Sequence, residues 1–361
     1  MGVLMIIIPK TPPRIVLGET FFSWISRALA QDKLRNPHFF KKTIEDLLYD
    51  PARHEVGAVE IWPLPAVKDF EFTVDGPLFE LASREFGYDL SYLRRFFYAS
   101  EKLLINISFR NVYCEQCLRD GLAVVGFPVW QKRWCYCTSA YCVEHSLVLL
   151  KSSDRRSPES RIWSCYLDSS EFERELVSLP ERYRAVVTIR VQRWIQRLLL
   201  KSDAFSNAVC YLYKIFLSAR TVYSPSGCAA AMYDGERKVI CRMNLSILER
   251  LELGINQSSP KQRRWALLLV GRIVGLVSED EFLKIIGKDH YLRWAAPSSL
   301  ELLGRLSVNA LNKEEAEFIL RILKALKSTG KDCTRLFLRG VEGASNAIGS
   351  GRHSFAKKTP E

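Results

Sequence analysis

Two short motifs constrain this chain more than anything else in it. Cys114-Glu-Gln-Cys117 is followed by Cys142-Val-Glu-His145, which reads C-x2-C-x24-C-x2-H. A C-x2-C turn aims two thiolates at one cation, and a C-x2-H knuckle completes a tetrahedron of Cys3His type. Four protein ligands leave no open position for an activated water. The spacing therefore predicts a structural zinc ion (Zn2+) whose binding free energy is folding free energy, held by Cys114, Cys117, Cys142 and His145. Cys135 and Cys137 remain open as alternatives to Cys142, since a C-x-C pair on a strand points both side chains to one face. Cys142 is preferred because it shares a knuckle with His145.

Cysteine usage supports metal over disulfides. Ten cysteines in 361 residues are too few for a disulfide scaffold. The apolar stretch Val3–Ile8 lacks a basic flank and runs into Pro9-Lys10, so no secretory signal is expected. Cys165, Cys210, Cys228, Cys241 and Cys333 are scattered and read as core or surface thiols. His38, His54, His290 and His353 are isolated and carry no assigned role. No apolar run reaches the roughly 18 residues of a transmembrane helix.

The organisation predicted is mainly α. Phe21, Trp24, Ile25, Ala28 and Leu29 repeat as one helical stripe after Gly18-Glu19-Thr20. Residues 51–76, with Pro51, Pro63 and Pro65, read as a connector. The polar stretch 151–160 is the best domain boundary. Val187, Val191, Trp194, Ile195, Leu198 and Leu199 form one apolar face, and residues 264–276 and 312–327 are again helical. The expected layout is an N-terminal helical region with a helix-turn-helix (1–105), a zinc-finger module (106–150) and a helical C-terminal domain (161–341). The Gly-, Ser- and Lys-rich tail 342–361 is expected to be disordered.

A net charge of +12 points to polyanionic partners, nucleic acid first. Pro77 to Phe97 has the grammar of a helix-turn-helix. Pro77 suits a first helical position, Gly87 supplies the turn, Asp89 can cap the second helix, and Leu78, Leu81, Ala82, Leu93, Phe96 and Phe97 face inward. That leaves Ser91, Tyr92, Arg94 and Arg95 for solvent or a DNA groove. Arg190, Arg193, Arg197 and Lys201 form a second basic stripe at helical spacing, with Arg182 and Arg184 before it, suited to phosphates or to a solvated helix face. Lys261, Arg263 and Arg264 carry similar weight. Glu281–Trp294, bending at Gly287, is a weaker helix-turn-helix candidate.

With these residues in place, a family resemblance emerges. Pro12-Pro13 followed by Gly18-Glu19-Thr20-Phe21-Phe22-Ser23-Trp24-Ile25-Ser26-Arg27 resembles the P-x-P…GES-x-x-SW-x-x-R opening of the TniQ/TnsD family, the target-selection proteins of bacterial transposons. Tyr113-Cys114-Glu115-Gln116-Cys117-Leu118 resembles that family's YC-x-x-CL knuckle. Trp134, Cys142, His145 and Leu149 resemble its tryptophan eight residues before C-x-x-H-x-x-x-L. The similarity covers about residues 9–150, in order and at compatible spacings. Many family members carry a further C-x-x-C directly after the C-x-x-H knuckle for a second zinc; here residues 151–165 offer only Cys165.

With no export signal read, a cytoplasmic protein is expected; the resemblance implies a nucleoid-associated, non-catalytic adaptor. Such a protein binds double-stranded DNA, or a DNA-bound complex, and recruits the transposon's AAA+ ATPase (TnsC/TniB-like), which brings the transposase. Some relatives read a fixed DNA site; others dock as homodimers on a CRISPR Cascade complex and let guide RNA choose the site. Both branches stay open, and so does a zinc-stabilised helix-turn-helix transcriptional regulator. The motif inventory also argues against an enzyme: there is no G-x-x-x-x-G-K-[ST], H-E-x-x-H or G-x-S-x-G.

Overall fold

The computed structural model describes residues 12–31, 69, 71–72, 76–152, 158–170, 179–221, 226–232, 244–287, 297–309 and 311–349. The protein is mainly helical, and its contacts divide it into two compact units: residues 1–136 with 149–175, and residues 137–148 with 176–361.

In the first unit, Thr20 caps α1 (Phe21–Ala30), its hydroxyl accepting from the Ser23 amide. Two short helices follow. α2 (Pro77–Phe86) begins on proline, where the missing N–H costs nothing. It ends at Gly87, whose φ of 70° lies in the left-handed region that glycine tolerates best. α3 (Leu90–Phe97) is capped by Asp89, whose carboxylate accepts from the Ser91 amide at 2.6 Å. The three helices share one aromatic core: Phe21 stacks on Phe79 with centroids 4.0 Å apart and meets Phe97 edge-on at 5.3 Å. Phe21, Trp24, Phe79 and Phe97 are wholly buried, each stabilising the fold by about 1.5–3 kcal/mol.

A buried ion pair braces the entry to α1. Arg27 Nη2 donates to Glu19 Oε2 at 2.7 Å and to the Arg14 carbonyl at 2.6 Å. The other Glu19 oxygen accepts from Arg27 Nε and Ser23 Oγ, both at 3.1 Å. Trp24 Nε1 donates to the Pro13 carbonyl at 2.8 Å. Burial pushes the Glu19 carboxyl above its ordinary range, and Arg27 opposes that shift. The same segment is tied to Trp130–Lys132: Thr20 N donates to Trp130 O, and Lys132 N to Gly18 O. Among the described residues the unit also holds α4 (Glu115–Val125), α5 (Pro158–Ser170) and a two-stranded antiparallel ribbon, β1 (Val112–Tyr113) with β2 (Leu150–Lys151), in register Val112 to Lys151. Phe127 meets Trp163 of α5 edge-on at 5.2 Å. After the polar stretch 151–160 the chain thus adds α5 to this unit before entering the second.

The second unit is a helical array: α6 (Leu179–Leu199), α7 (Ala204–Leu217), α8 (Cys228–Met232), α9 (Ile247–Gln257), α10 (Pro260–Ile273), α11 (Glu279–Ile286), α12 (Leu300–Val308), α13 (Lys313–Leu323) and α14 (Asp332–Gly349). Capping boxes start α9, α10, α11 and α13, each pairing Ser246, Ser259, Ser278 or Asn312 with a Glu or Gln three residues on. Val187, Val191, Ile195, Leu198 and Leu199 are buried as the periodicity predicts.

One expectation is corrected here. The tail was expected to be disordered from 342, yet α14 runs to Gly349. Ser345 is 6% exposed, one turn beyond the wholly buried Val341, so the start of the glycine- and serine-rich stretch continues the packed face of the helix. Residues 350–361, most of the 51–76 connector, the second half of the Glu281–Trp294 hairpin, and Cys241, His38, His54, His290 and His353 lie outside the described residues.

Candidate metal centre

The first knuckle is built by a helix start. Cys114 is the N-cap of α4 and Cys117 lies in its first turn, with Leu118 N donating back to Cys114 O. Both sulfurs therefore sit at the positive end of a helix, where negative charge is favoured. The second knuckle is a tight hairpin tip. Tyr141 bridges Val148, Cys142 N donates to Leu147 O at 2.8 Å, and Ser146 N to Cys142 O at 2.9 Å. Ser146 closes the turn at φ 55°, the one non-glycine residue at positive φ among those described.

The ligand atoms of Cys114, Cys117, Cys142 and His145 all lie within 4.8 Å of one another, with the three cysteines buried. Cys142 Sγ is 3.5 Å from His145 Nδ1. A tetrahedral ion with zinc-like bond lengths separates sulfur and nitrogen ligands by about 3.6 Å. The residues therefore fit a four-coordinate metal ion of thiolate and imidazole preference.

The cysteines that competed for this role are elsewhere. Cys135 ends a 3-10 turn (Lys132–Cys135) rather than lying on a strand, so the one-face argument for the C-x-C pair does not hold. Its carbonyl accepts from Ile105 N, and its thiol is pushed well up by burial and by the nearby Glu71 carboxylate. Cys137 is buried near Cys210, and burial pushes its thiol up to about 12. Both are inert core thiols.

The supporting residues are the part that sequence reasoning missed. Arg133 Nη2 donates to Cys117 Sγ at 3.6 Å. The segment carrying Cys142 is pinned by the second unit's helices. Gln192 Oε1 accepts from the Ala140 and Tyr141 amides at 3.0 and 3.3 Å, and Gln192 Nε2 donates to Tyr141 O. Tyr213 OH donates to Cys137 O at 2.9 Å, and Gln196 donates to Thr138 Oγ1 at 3.1 Å. Tyr141 OH donates to Glu181 Oε1 at 2.6 Å, and Arg264 reaches both groups. Arg263 holds Ser258 Oγ and lies 3.4 Å from the Ser139 carbonyl. Arg263 and Arg264 are 1% and 7% exposed, so their expected place in a phosphate-facing group is corrected: they brace the knuckle segment. None of these partners is adjacent in sequence, and no local spacing marks them.

A second buried charge cluster was equally illegible. Arg110 pairs with Asp69 and with Glu71, the latter at 3.0 Å, donates from Nε to Ile105 O, and stacks on Phe72 at 4.7 Å.

Of the residues proposed for DNA, Ser91, Tyr92, Arg94 and Arg95 are exposed on α3. Arg182, Arg193, Arg197 and Lys201 are exposed on or just after α6. Arg190 is engaged: it donates to Glu281 at 3.0 Å and to the Leu276 carbonyl at 2.8 Å. Arg184 is held by Glu181 and the Ile285 carbonyl. No helix among the described residues is long and apolar enough to cross a membrane. No protein-family model, curated protein or solved structure matches this chain.

Proposed function

We propose that this chain is a zinc-stapled, non-catalytic adaptor for DNA transposition. It holds target DNA, or a DNA-bound guide-RNA Cascade complex, and recruits a transposon AAA+ ATPase. The metal is zinc: three thiolates and one imidazole are its preferred donors, and a closed sphere gives the ion a structural role.

The observation that carries the reading is the coupling among the residues that resemble the TniQ/TnsD opening. Pro13, Glu19, Thr20, Ser23, Trp24 and Arg27 are six of those residues, and they form one buried network of cap, ion pair and indole hydrogen bond. The two knuckle motifs, matched independently, supply the four clustered ligands. The exposed arginines of α3 and α6 supply the cationic surfaces a DNA-holding role needs.

The test is co-purification from cells carrying the transposon, with crosslinked occupancy mapped across the genome. Recovery of the AAA+ ATPase with the tagged protein supports the adaptor. Sharp occupancy at one sequence without a guide assigns direct DNA reading; occupancy that moves with the guide assigns Cascade docking. Promoter-like occupancy with no ATPase recovered would overturn the proposal in favour of a transcriptional regulator.

A further inference from the structure

We propose that the Tyr88–Tyr92 ring pair takes an unpaired nucleobase, so that the hairpin of α2 and α3 prefers single-stranded or locally opened DNA over intact duplex. This rests on the DNA-binding reading above and specifies the state of the DNA.

A continuous aromatic column leads from the core to solvent. Trp24, wholly buried, meets Tyr88 at 6.2 Å; Tyr88 stacks on Tyr92 at 4.9 Å with planes 25° apart; Tyr92 meets Phe96 at 5.0 Å. Tyr92, between Tyr88 and Phe96, is 38% exposed. The column is preorganised: Ser83 Oγ donates to the Tyr88 carbonyl at 2.6 Å and fixes the turn that carries the ring. Tyr88 is held above the ordinary phenol range by burial and then by Tyr92.

The charges around the column fit a single strand better than a groove. Arg94 and Arg95 are exposed on α3, which contains no acidic residue, and they can follow a phosphate backbone. A helix entering the major groove leads with its N-terminal turn, the end that favours anions. Here that end is already filled by the exposed Asp89 carboxylate, which accepts from the Ser91 amide and occupies the site an incoming phosphate would use. Stacked bases in duplex DNA offer edges and no faces. A tyrosine pair stabilises binding through stacking only when a base has left the helix.

The experiment measures anisotropy of three labelled probes with the full chain loaded with zinc: a single strand, the matching duplex, and that duplex with a central mismatched bubble. The single strand and bubble are expected to bind more tightly than the duplex. Tyr92→Ala should lose about five- to hundred-fold on both, while Tyr92→Phe, which keeps the ring, stays near the parent. Equal or tighter binding of the duplex, no effect of Tyr92→Ala on the bubble, or a Tyr92→Phe loss as large as that of Tyr92→Ala would overturn the inference. Duplex binding that depends on Arg94 and Arg95 but not Tyr92 removes this inference and leaves the DNA-binding reading intact. Failure to bind any probe removes both.

Discussion

Arg133 directs its Nη2 at the sulfur of Cys117, 3.6 Å away, and so places a fixed positive charge beside one of the four candidate metal ligands. Three thiolates around a divalent ion leave the centre with a net negative charge. Arg133 offsets it through a charge-assisted N–H···S contact. Arg133→Ala is therefore expected to weaken metal affinity by about 10–100-fold without abolishing the fold. Competition with a chromophoric chelator checks this. Arg133→Lys should recover part of the loss through its charge. Equal affinity in all three proteins would show the contact to be incidental.

Metal removal should expose a particular set of thiols. All five cysteines are buried, and a bound ion would shield Cys114, Cys117 and Cys142 by coordination as well. A brief chelator treatment followed by alkylation near neutral pH should label Cys114, Cys117 and Cys142 first. Cys137, pushed up to about 12, has little thiolate at that pH and should lag. Mass spectrometry of the labelled peptides decides it. Cys117→Ser and His145→Ala should each lower zinc content and loosen the same region.

Legibility in the sequence followed locality. α1, the Pro77–Gly87–Asp89 hairpin and both metal knuckles are written in contiguous residues, because caps, left-handed glycines and C-x2-C turns act over three or four positions. The braces were not legible. Gln192 lies about fifty residues from the Ala140 amide it accepts from, and Arg110 about forty from Asp69. Runs of arginine misled for the same reason: Arg263 and Arg264 look like a basic patch until Tyr141, Glu181 and Ser258 are placed around them. Composition likewise hid the α14 extension, since Ser345 continues into the tail the packed face that Val341 begins.

The Glu19–Arg27 pair should be costly to break from one side. Arg27→Met leaves a carboxylate buried with only hydroxyl and amide donors, a loss of about 3–5 kcal/mol. Burial already raises the Glu19 carboxyl, so the variant should regain stability as pH falls and that carboxyl takes up a proton. Thermal melts of Arg27→Met at two pH values, beside the double variant Glu19→Leu/Arg27→Met, check both points. The double variant should be the more stable of the two near neutral pH.

Acid should fray selected helix starts. Asp89 and Asp203 are held below the ordinary aspartate range by the Ser91 and Ser206 amides, and Glu281 below the glutamate range by the Ser278 amide. A depressed folded pKa contributes stability that is present above the unfolded value, about 4, and lost as pH falls through the folded one. Amide exchange at the start of α3 should accelerate below about pH 4. In Asp89→Asn, whose cap does not titrate, that acceleration should be absent while acid release of the metal is unchanged.

The α6 arginines make separable contributions to DNA binding under the proposed function. Arg193, Arg197 and Lys201 are exposed, whereas Arg190 is shared between Glu281 and the Leu276 carbonyl. Each phosphate neutralised steepens the fall of log affinity with log salt by about 0.9. Replacing Arg193, Arg197 and Lys201 together with alanine should flatten that slope by about two to three. Arg190→Ala should leave the slope near the parent value and instead lower thermal stability by up to about 1 kcal/mol, the range of a partly exposed ion pair. Duplex titrations across a range of salt concentrations separate the two. A slope that responds to Arg190 and not to the other three would mean that DNA displaces Glu281 and takes Arg190 for itself. An unchanged slope in both variants would make the outer face of α6 a solvated surface and leave α3 to hold the DNA.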